Sequence, residues 1–275
     1  MKTLKHYFAS IAHEFGREEA ELMLLSVFKT PFEQRLMLFM KDPALTEAQV
    51  QQLDNLVRQR KQGVPLPYIL GETYFFNLEL NVNRDVLIPR PDTEILVLAA
   101  LEHLQKNPSA QCLDMATGSG AVILALKTEL PELQAYGSDI CEKALKVAQG
   151  NACRHSLDVP FTQSSWGDAY TENESFDVIT ANPPYIAYDE LHLMNKETSF
   201  EPSKALFAPQ NGLEPYYKLA EDAQRLLKSN GWLCVEHGFQ QADAVQQIMR
   251  NAGFAEVHSL DDIQGHPRVT QGQKV

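Results

Sequence analysis

The chain has 275 residues, 44% hydrophobic and 22% charged, enough for one large core and a smaller second unit. No apolar run reaches membrane-span length, and Met1-Lys2-Thr3-Leu4-Lys5-His6 leads into no signal-peptide core, so a cytoplasmic protein with no membrane partner is expected. The net charge of -12 falls mostly after residue 83, where 15 basic groups face 26 acidic ones; phosphate-gripping surfaces are basic, so direct nucleic-acid binding is not expected.

Residues 1–73 read as a small helical domain. Ala20–Phe28 carries helical apolar spacing before Pro31. An amphipathic helix runs from Leu45 to Gln62, with Thr46 and Gln49 spaced as a capping box. Nothing here forms a catalytic constellation, so substrate recognition or scaffolding is the expected task. The alternation in Tyr74–Asn83 predicts a linking β-hairpin over 74–88, with Asn83-Arg84-Asp85 near its tight end. In Ile88-Pro89-Arg90-Pro91-Asp92-Thr93-Glu94, Asp92 or Thr93 is placed to cap a helix continuing to Gln105.

From Cys112 onward strands alternate with helices. Strands are predicted at 111–115, 134–139, 161–164, 176–181, 232–237, 255–260 and 268–272, with helices at 141–153, 212–229 and 240–252 among those between them. This rhythm points to a doubly wound α/β domain over 89–275, whose ligands sit outside the carboxyl ends of the strands. Four cysteines (112, 141, 153 and 234) have no CxxC spacing and the eight histidines form no HxH pair, so no metal site is expected.

Leu113-Asp114-Met115-Ala116-Thr117-Gly118-Ser119-Gly120 places an acid at a strand end, then small residues entering a helix. Glycine lets the backbone approach a ligand closely, although such loops serve several nucleoside cofactors and plain tight turns as well. Asp139 ends the next strand and can accept both hydroxyls of a ribose, or cap the helix after Cys141. Trp166 follows the third strand, where its indole offers a wall for an adenine or simply joins the core.

The fourth strand stops at Asn182-Pro183-Pro184-Tyr185. Prolines end the ladder there, and the Asn carboxamide with neighbouring carbonyls can hold both hydrogens of a planar NH2 group. The three strand ends, carrying the loop, Asp139 and Asn182, converge on one crevice in a doubly wound sheet. A hydride-transfer enzyme has no special use for Asn-Pro-Pro-Tyr; an enzyme methylating an NH2 group does.

On Ile88–Glu94, the Asn-Pro-Pro-Tyr-Ile block and Glu201-Pro202-Ser203-Lys204-Ala205-Leu206-Phe207, the chain resembles the release factor glutamine methyltransferases, the HemK/PrmC group. The similarity runs from Val64 to near the C-terminus. It implies a Rossmann-like, seven-stranded class I methyltransferase domain that uses S-adenosylmethionine (SAM), preceded by a helical bundle and a linking hairpin. It further implies methyl transfer to the side-chain amide nitrogen of the Gln in the Gly-Gly-Gln motif of class I peptide chain release factors. By position, Asp114 and Ala116–Gly120, Asp139, Trp166 and Asn182 hold the cofactor, while Asn182, Pro183, Pro184 and Tyr185 hold the glutamine, with Asn182, Pro183 and Tyr185 as the catalytic set. Ala116 departs from the family's glycine, and a positive φ there would strain it. Ser165 stands where an Asp commonly precedes the Trp, and Glu236-His237-Gly238 replaces Glu-Ile-Gly. Glutamine methylation of a ribosomal protein and adenine-amino methylation of nucleic acid are the alternatives.

Overall fold

The computed structural model describes residues 2–107 and 109–275. The chain divides into two compact units: residues up to Gly71 together with Lys196–Phe200, and Glu72–Asn195 together with Glu201–Val275.

The first unit is helical. It holds α1 (Leu4–Phe15), α2 (Arg17–Phe28), α3 (Arg35–Lys41), α4 (Glu47–Lys61) and α5 (Leu66–Leu70). Gly16, at φ 93°, breaks α1 from α2, a backbone state that costs glycine little. Leu4, Ile11, Met23, Leu24, Leu53 and Leu56 close a core between them. The capping box is formed: Thr46 Oγ1 accepts from Gln49 N at 3.3 Å, and Gln49 Oε1 accepts from Thr46 N at 3.0 Å. Arg60 pairs with Glu19 at 2.7 Å and with Glu197, holding the 196–200 segment to α4 and α2.

The second unit opens with β1 (Glu72–Phe75) and β2 (Leu78–Asn81), followed by α6 (Glu94–Leu104), β3 (Gln111–Met115), α7 (Ala121–Glu129), β4 (Gln134–Asp139) and α8 (Glu142–Arg154). β5 (Phe161–Gln163), β6 (Phe176–Ala181), α9 (Glu214–Leu226), β7 (Leu227–Glu236), α10 (Ala242–Asn251), β8 (Phe254–Asp261) and β9 (Pro267–Lys274) complete it. The seven-stranded sheet has the order β5-β4-β3-β6-β7-β9-β8. Strands β3 to β7 pair in parallel, while β9 runs antiparallel to both β7 and β8.

Both faces of the sheet are covered, so the inner strands are apolar almost throughout. Cys112 and Val178 join a cluster with Leu96, Val97 and Ile123 of α6 and α7; Leu113, Met115 and Ile179 join another with Leu219 and Ala223 of α9 and Val245 of α10. The strand order reverses at β3, which opens a crevice above the carboxyl ends of β3, β4 and β6.

Two expectations require correction. The hairpin turns at Phe76-Asn77, with Phe76 at φ 52°, and not at Asn83–Asp85; Asn83 instead starts a separate turn, its Oδ1 accepting from Asp85 N at 2.8 Å. The hairpin's Phe75, Leu78 and Leu80 pack into the same core as α6. Strand β7 begins at Leu227, five residues before the expected start, since Leu227 pairs with Phe176 ahead of a bulge that absorbs the polar Lys228-Ser229-Asn230.

Candidate active site

A cleft of about 600 Å³ lies at the carboxyl ends of β3, β4 and β6, and every residue lining it belongs to the second unit. Its floor is the loop after β3. Thr117 N donates to Ser138 O at 2.9 Å, Gly118 N to Asp139 Oδ2 at 2.9 Å and Gly120 N to Thr117 O at 2.8 Å, so the loop is held against the end of β4. A Cβ on Gly118 would meet nothing within 4 Å, because that position faces open space. Gly120, at φ 82°, packs on Leu124 and begins α7; it does not line the cleft.

Ala116 takes φ 58°, the left-handed state that favours glycine. The strain for an L-residue is about 1–2 kcal/mol. The bonds made by its neighbours Thr117 and Gly118 hold it there, so the departure from glycine is paid in stability while the loop keeps its shape.

Asp139 does two things. Its Oδ1 accepts from Cys141 N at 2.8 Å and its Oδ2 from Gly118 N. A carboxylate has about four acceptor sites, so two remain for hydroxyls in the cleft. Burial raises its pKa, and the backbone donors oppose that rise. Asp114 is committed differently: its oxygens accept from Thr117 Oγ1 at 2.6 Å and Thr180 Oγ1 at 2.7 Å, bracing the loop to β6, and burial pushes its pKa up to about 7. Trp166 lines the cleft while also packing, as Tyr136 and Tyr170 do, against the core that contains Leu113, Phe176 and Leu226.

At the acceptor end, Asn182 and Pro184 line the cleft, whereas Pro183 is buried and Tyr185 is turned elsewhere. The Tyr185 hydroxyl donates to Glu236 Oε1 at 3.3 Å, and its carbonyl accepts from Gln241 Nε2 at 2.9 Å. Gly212 approaches so closely that a Cβ there would lie 1.9 Å from the Tyr185 carbonyl oxygen. Asn182 Nδ2 donates to Thr93 Oγ1 at 3.2 Å, which leaves Oδ1 as an acceptor. Thr93 therefore does not cap α6 with its side chain, as its position in the sequence suggested.

Two segments that had no assigned task form the outer wall. Arg90 Nη2 donates to both carboxylate oxygens of the buried Glu201 at 2.8 Å, clasping Pro89-Arg90-Pro91 to Glu201-Pro202-Ser203. Ile186 and Phe207 form a parallel bridge, and Tyr188 stacks on Phe207 with ring centroids 5.7 Å apart. Sequence reasoning missed Thr93 and Glu236 as parts of the site; a Glu at the end of the strand beside β6 was the signal for the second.

The donor set suits a nucleoside cofactor. Asp139 offers free acceptor sites beside exposed loop backbone, while Trp166, Val86, Leu87, Pro89 and Ala144 supply apolar lining. Residues 106–269 match the model of a methyltransferase domain, and residues 1–71 match that of the PrmC N-terminal domain. A release factor glutamine methyltransferase of Aliivibrio fischeri is 37% identical over 259 residues, covering 94% of this chain and 90% of that one.

This chain belongs to the release factor glutamine methyltransferase family.

A release factor glutamine methyltransferase of Buchnera aphidicola is 36% identical over 275 residues, covering 99% of this chain and 98% of that one. A methyltransferase of Pyrococcus furiosus superposes with a TM-score of 0.53 at 16% identity, covering 72% of this chain and 90% of that one, and shares the fold. This chain carries Ala116 at a left-handed loop position and His237 after the buried Glu236. Among the described residues, no helix is long and apolar enough to cross a membrane.

Proposed function

We propose that this chain transfers a methyl group from SAM to the side-chain amide nitrogen of the glutamine in the Gly-Gly-Gln motif of class I peptide chain release factors. The observation that carries this reading is the Asn182 carboxamide, tied by its NH2 to Thr93 so that Oδ1 is left to accept at the carboxyl end of β6, beside the cofactor loop. The names of the relatives point the same way. SAM, when bound, supplies an electrophilic methyl on a sulfonium; Asp139, the loop Ala116–Ser119, Asp114 as its brace and Trp166 would hold it, with Gly120 only starting α7 behind them.

The chain's own task is to make a poor nucleophile presentable. An amide nitrogen delocalises its lone pair into the carbonyl. Asn182 Oδ1 and the Pro183 carbonyl accept its two hydrogens, which orients the nitrogen and stabilises the positive charge that develops on it. Pro184 confines the glutamine, while Tyr185, its hydroxyl on Glu236, steadies the turn that presents Asn182. No side-chain base is required, because an N-protonated amide loses its proton to water. In this reading the helical unit recognises the protein substrate, since one glutamine offers too little surface for selection among proteins. The setting is the cytoplasm, and nucleic acid is not a partner.

Incubation with labelled SAM and, in parallel, a class I release factor, the same factor with its Gly-Gly-Gln glutamine replaced by alanine, ribosomal protein and nucleic acid tests this. Label in the intact factor alone is the expected result. Label in ribosomal protein or nucleic acid and none in the factor overturns it.

A further inference from the structure

Trp166 reaches the cleft on a loop that is held from behind by α9. It takes φ 51°, a left-handed state that is rare for a bulky L-residue and persists only where the surroundings impose it. The next residue, Gly167, is buried, and both of its backbone groups are gripped. Its N–H donates to Asp222 Oδ2 at 3.1 Å, and its carbonyl accepts from Arg225 Nη2 at 3.1 Å. Arg225 Nη1 donates to the Tyr170 carbonyl at 2.6 Å, so one guanidinium spans the loop. A Cβ on Gly167 would lie 2.8 Å from Leu226 Cδ1 and 2.9 Å from Asp222 Cγ, and only glycine allows this approach.

Helix α9 does not need these polar bonds to stay on the sheet. Its Leu219, Ala220, Ala223 and Leu226 already join the apolar core with Leu113 and Ile179. Asp222 is only 3% exposed, and a buried carboxylate destabilises unless cations and donors surround it. Lys218 Nζ lies 3.1 Å and Arg225 Nη2 3.7 Å from its Oδ1, which leaves Oδ2 for Gly167. Lys218 also lies 3.8 Å from Asp168, the residue after Gly167. The other end of the loop is tied to the cofactor side: Ser164 N donates to the Asp139 carbonyl at 3.0 Å, and Ser164 Oγ accepts from Ala169 N at 3.0 Å.

We propose that Asp222 and Arg225 are positioning residues for the cofactor: from one turn of α9 they hold Gly167 by its N–H and its carbonyl, which fixes the left-handed Trp166 in the wall of the cleft. Neither of the two lines the cleft, so they act through Trp166. The inference rests on the reading of Trp166 as the wall beside the adenine of SAM. Cutting either bond releases Trp166 toward negative φ and lowers the fraction of molecules whose wall is in place. The apparent Kd for SAM rises by the inverse of that fraction.

The test uses the full chain labelled with 5-fluorotryptophan, whose two 19F resonances belong to Trp166 and Trp232, the first identified by its loss in Trp166→Ala. Asp222→Ala and the partly exposed Arg225→Ala are each expected to displace or broaden the Trp166 resonance and to leave that of Trp232 in place. Each should raise the calorimetric Kd for SAM about tenfold, as a competent fraction of about one tenth requires. Asp222→Asn keeps an acceptor for Gly167 N–H and should return both readouts close to wild type. No methyl acceptor is present, so the result does not depend on which protein is methylated. A Kd within about twofold of wild type in both alanine variants, or a weakened Kd with the Trp166 resonance unmoved, overturns the proposal when Trp166→Ala itself binds SAM weakly. Wild-type affinity in Trp166→Ala instead removes the reading of Trp166, and the proposal with it.

Discussion

The two ends of the cleft are built by opposite means. At the cofactor end the contacts are local: seven consecutive residues, Asp114–Gly120, supply the brace, the bend and the exposed backbone, and Asp139 supports them from the neighbouring strand. At the acceptor end one carboxamide is governed by Thr93, which lies 89 residues away, and the adjoining Tyr185 by Glu236, 51 residues away. Backbone geometry fixes the first and side-chain polarity the second. Substitutions at the cofactor end should therefore change binding and stability, and those at the acceptor end should change turnover.

Asn182→Ala should expose this split most strongly. Losing one preorganised acceptor costs about 3 kcal/mol in the barrier, or about a hundredfold in kcat, with SAM affinity preserved in calorimetry. Near-normal turnover would end the assignment of Asn182.

Acid–base linkage should act on both ends together. Asp114 and Glu236 each have a folded pKa near 7, above their ordinary values of 3.8 and 4.5, so between those values the folded state holds more protons than the unfolded one. Their contribution to stability is thus favourable at acid pH and is lost as pH rises through 7, on the order of 3 kcal/mol per group for shifts of this size. Denaturant titrations from pH 5 to 8 should show a shallower loss in Asp114→Asn than in the wild type.

Asp139→Ala should weaken SAM binding by about 2 kcal/mol, roughly thirtyfold in Kd, because two carboxylate hydrogen bonds to the ligand and the support of Gly118 disappear together. Its kcat at saturating SAM should change far less than that of Asn182→Ala. Equal losses in both quantities would erase the distinction between the two ends.

Ala116→Gly carries the smallest effect. Relieving a left-handed alanine should raise stability by about 1 kcal/mol, seen as a higher denaturation midpoint with an unchanged slope. An unchanged midpoint would mean that the strain is absorbed elsewhere in the loop.

Much of this architecture was readable in the chain because it rests on periodicity and spacing. The strands at 111–115, 134–139 and 176–181 fall where apolar runs end at Asp114, Asp139 and Asn182, since a strand buried on both faces must be apolar until it reaches solvent or ligand. The capping box was equally plain, Thr46 and Gln49 lying three positions apart. The hairpin turn was misplaced because Phe76 carries none of the usual turn chemistry; the packing of Phe75, Leu78 and Leu80 forces it to bend there.

The sequence by itself determined the α/β rhythm, the crevice and the order in which the loop, Asp139 and the Asn182 carboxamide reach it, because each depends on neighbours a few residues apart. Only the tertiary structure decided that Thr93 serves Asn182 instead of its own helix, that Asp114 braces the loop, and that Glu236 stands behind Tyr185. Those choices depend on which polar groups are shut away from water together, and a buried hydroxyl or carboxylate takes whatever partner the packing leaves it.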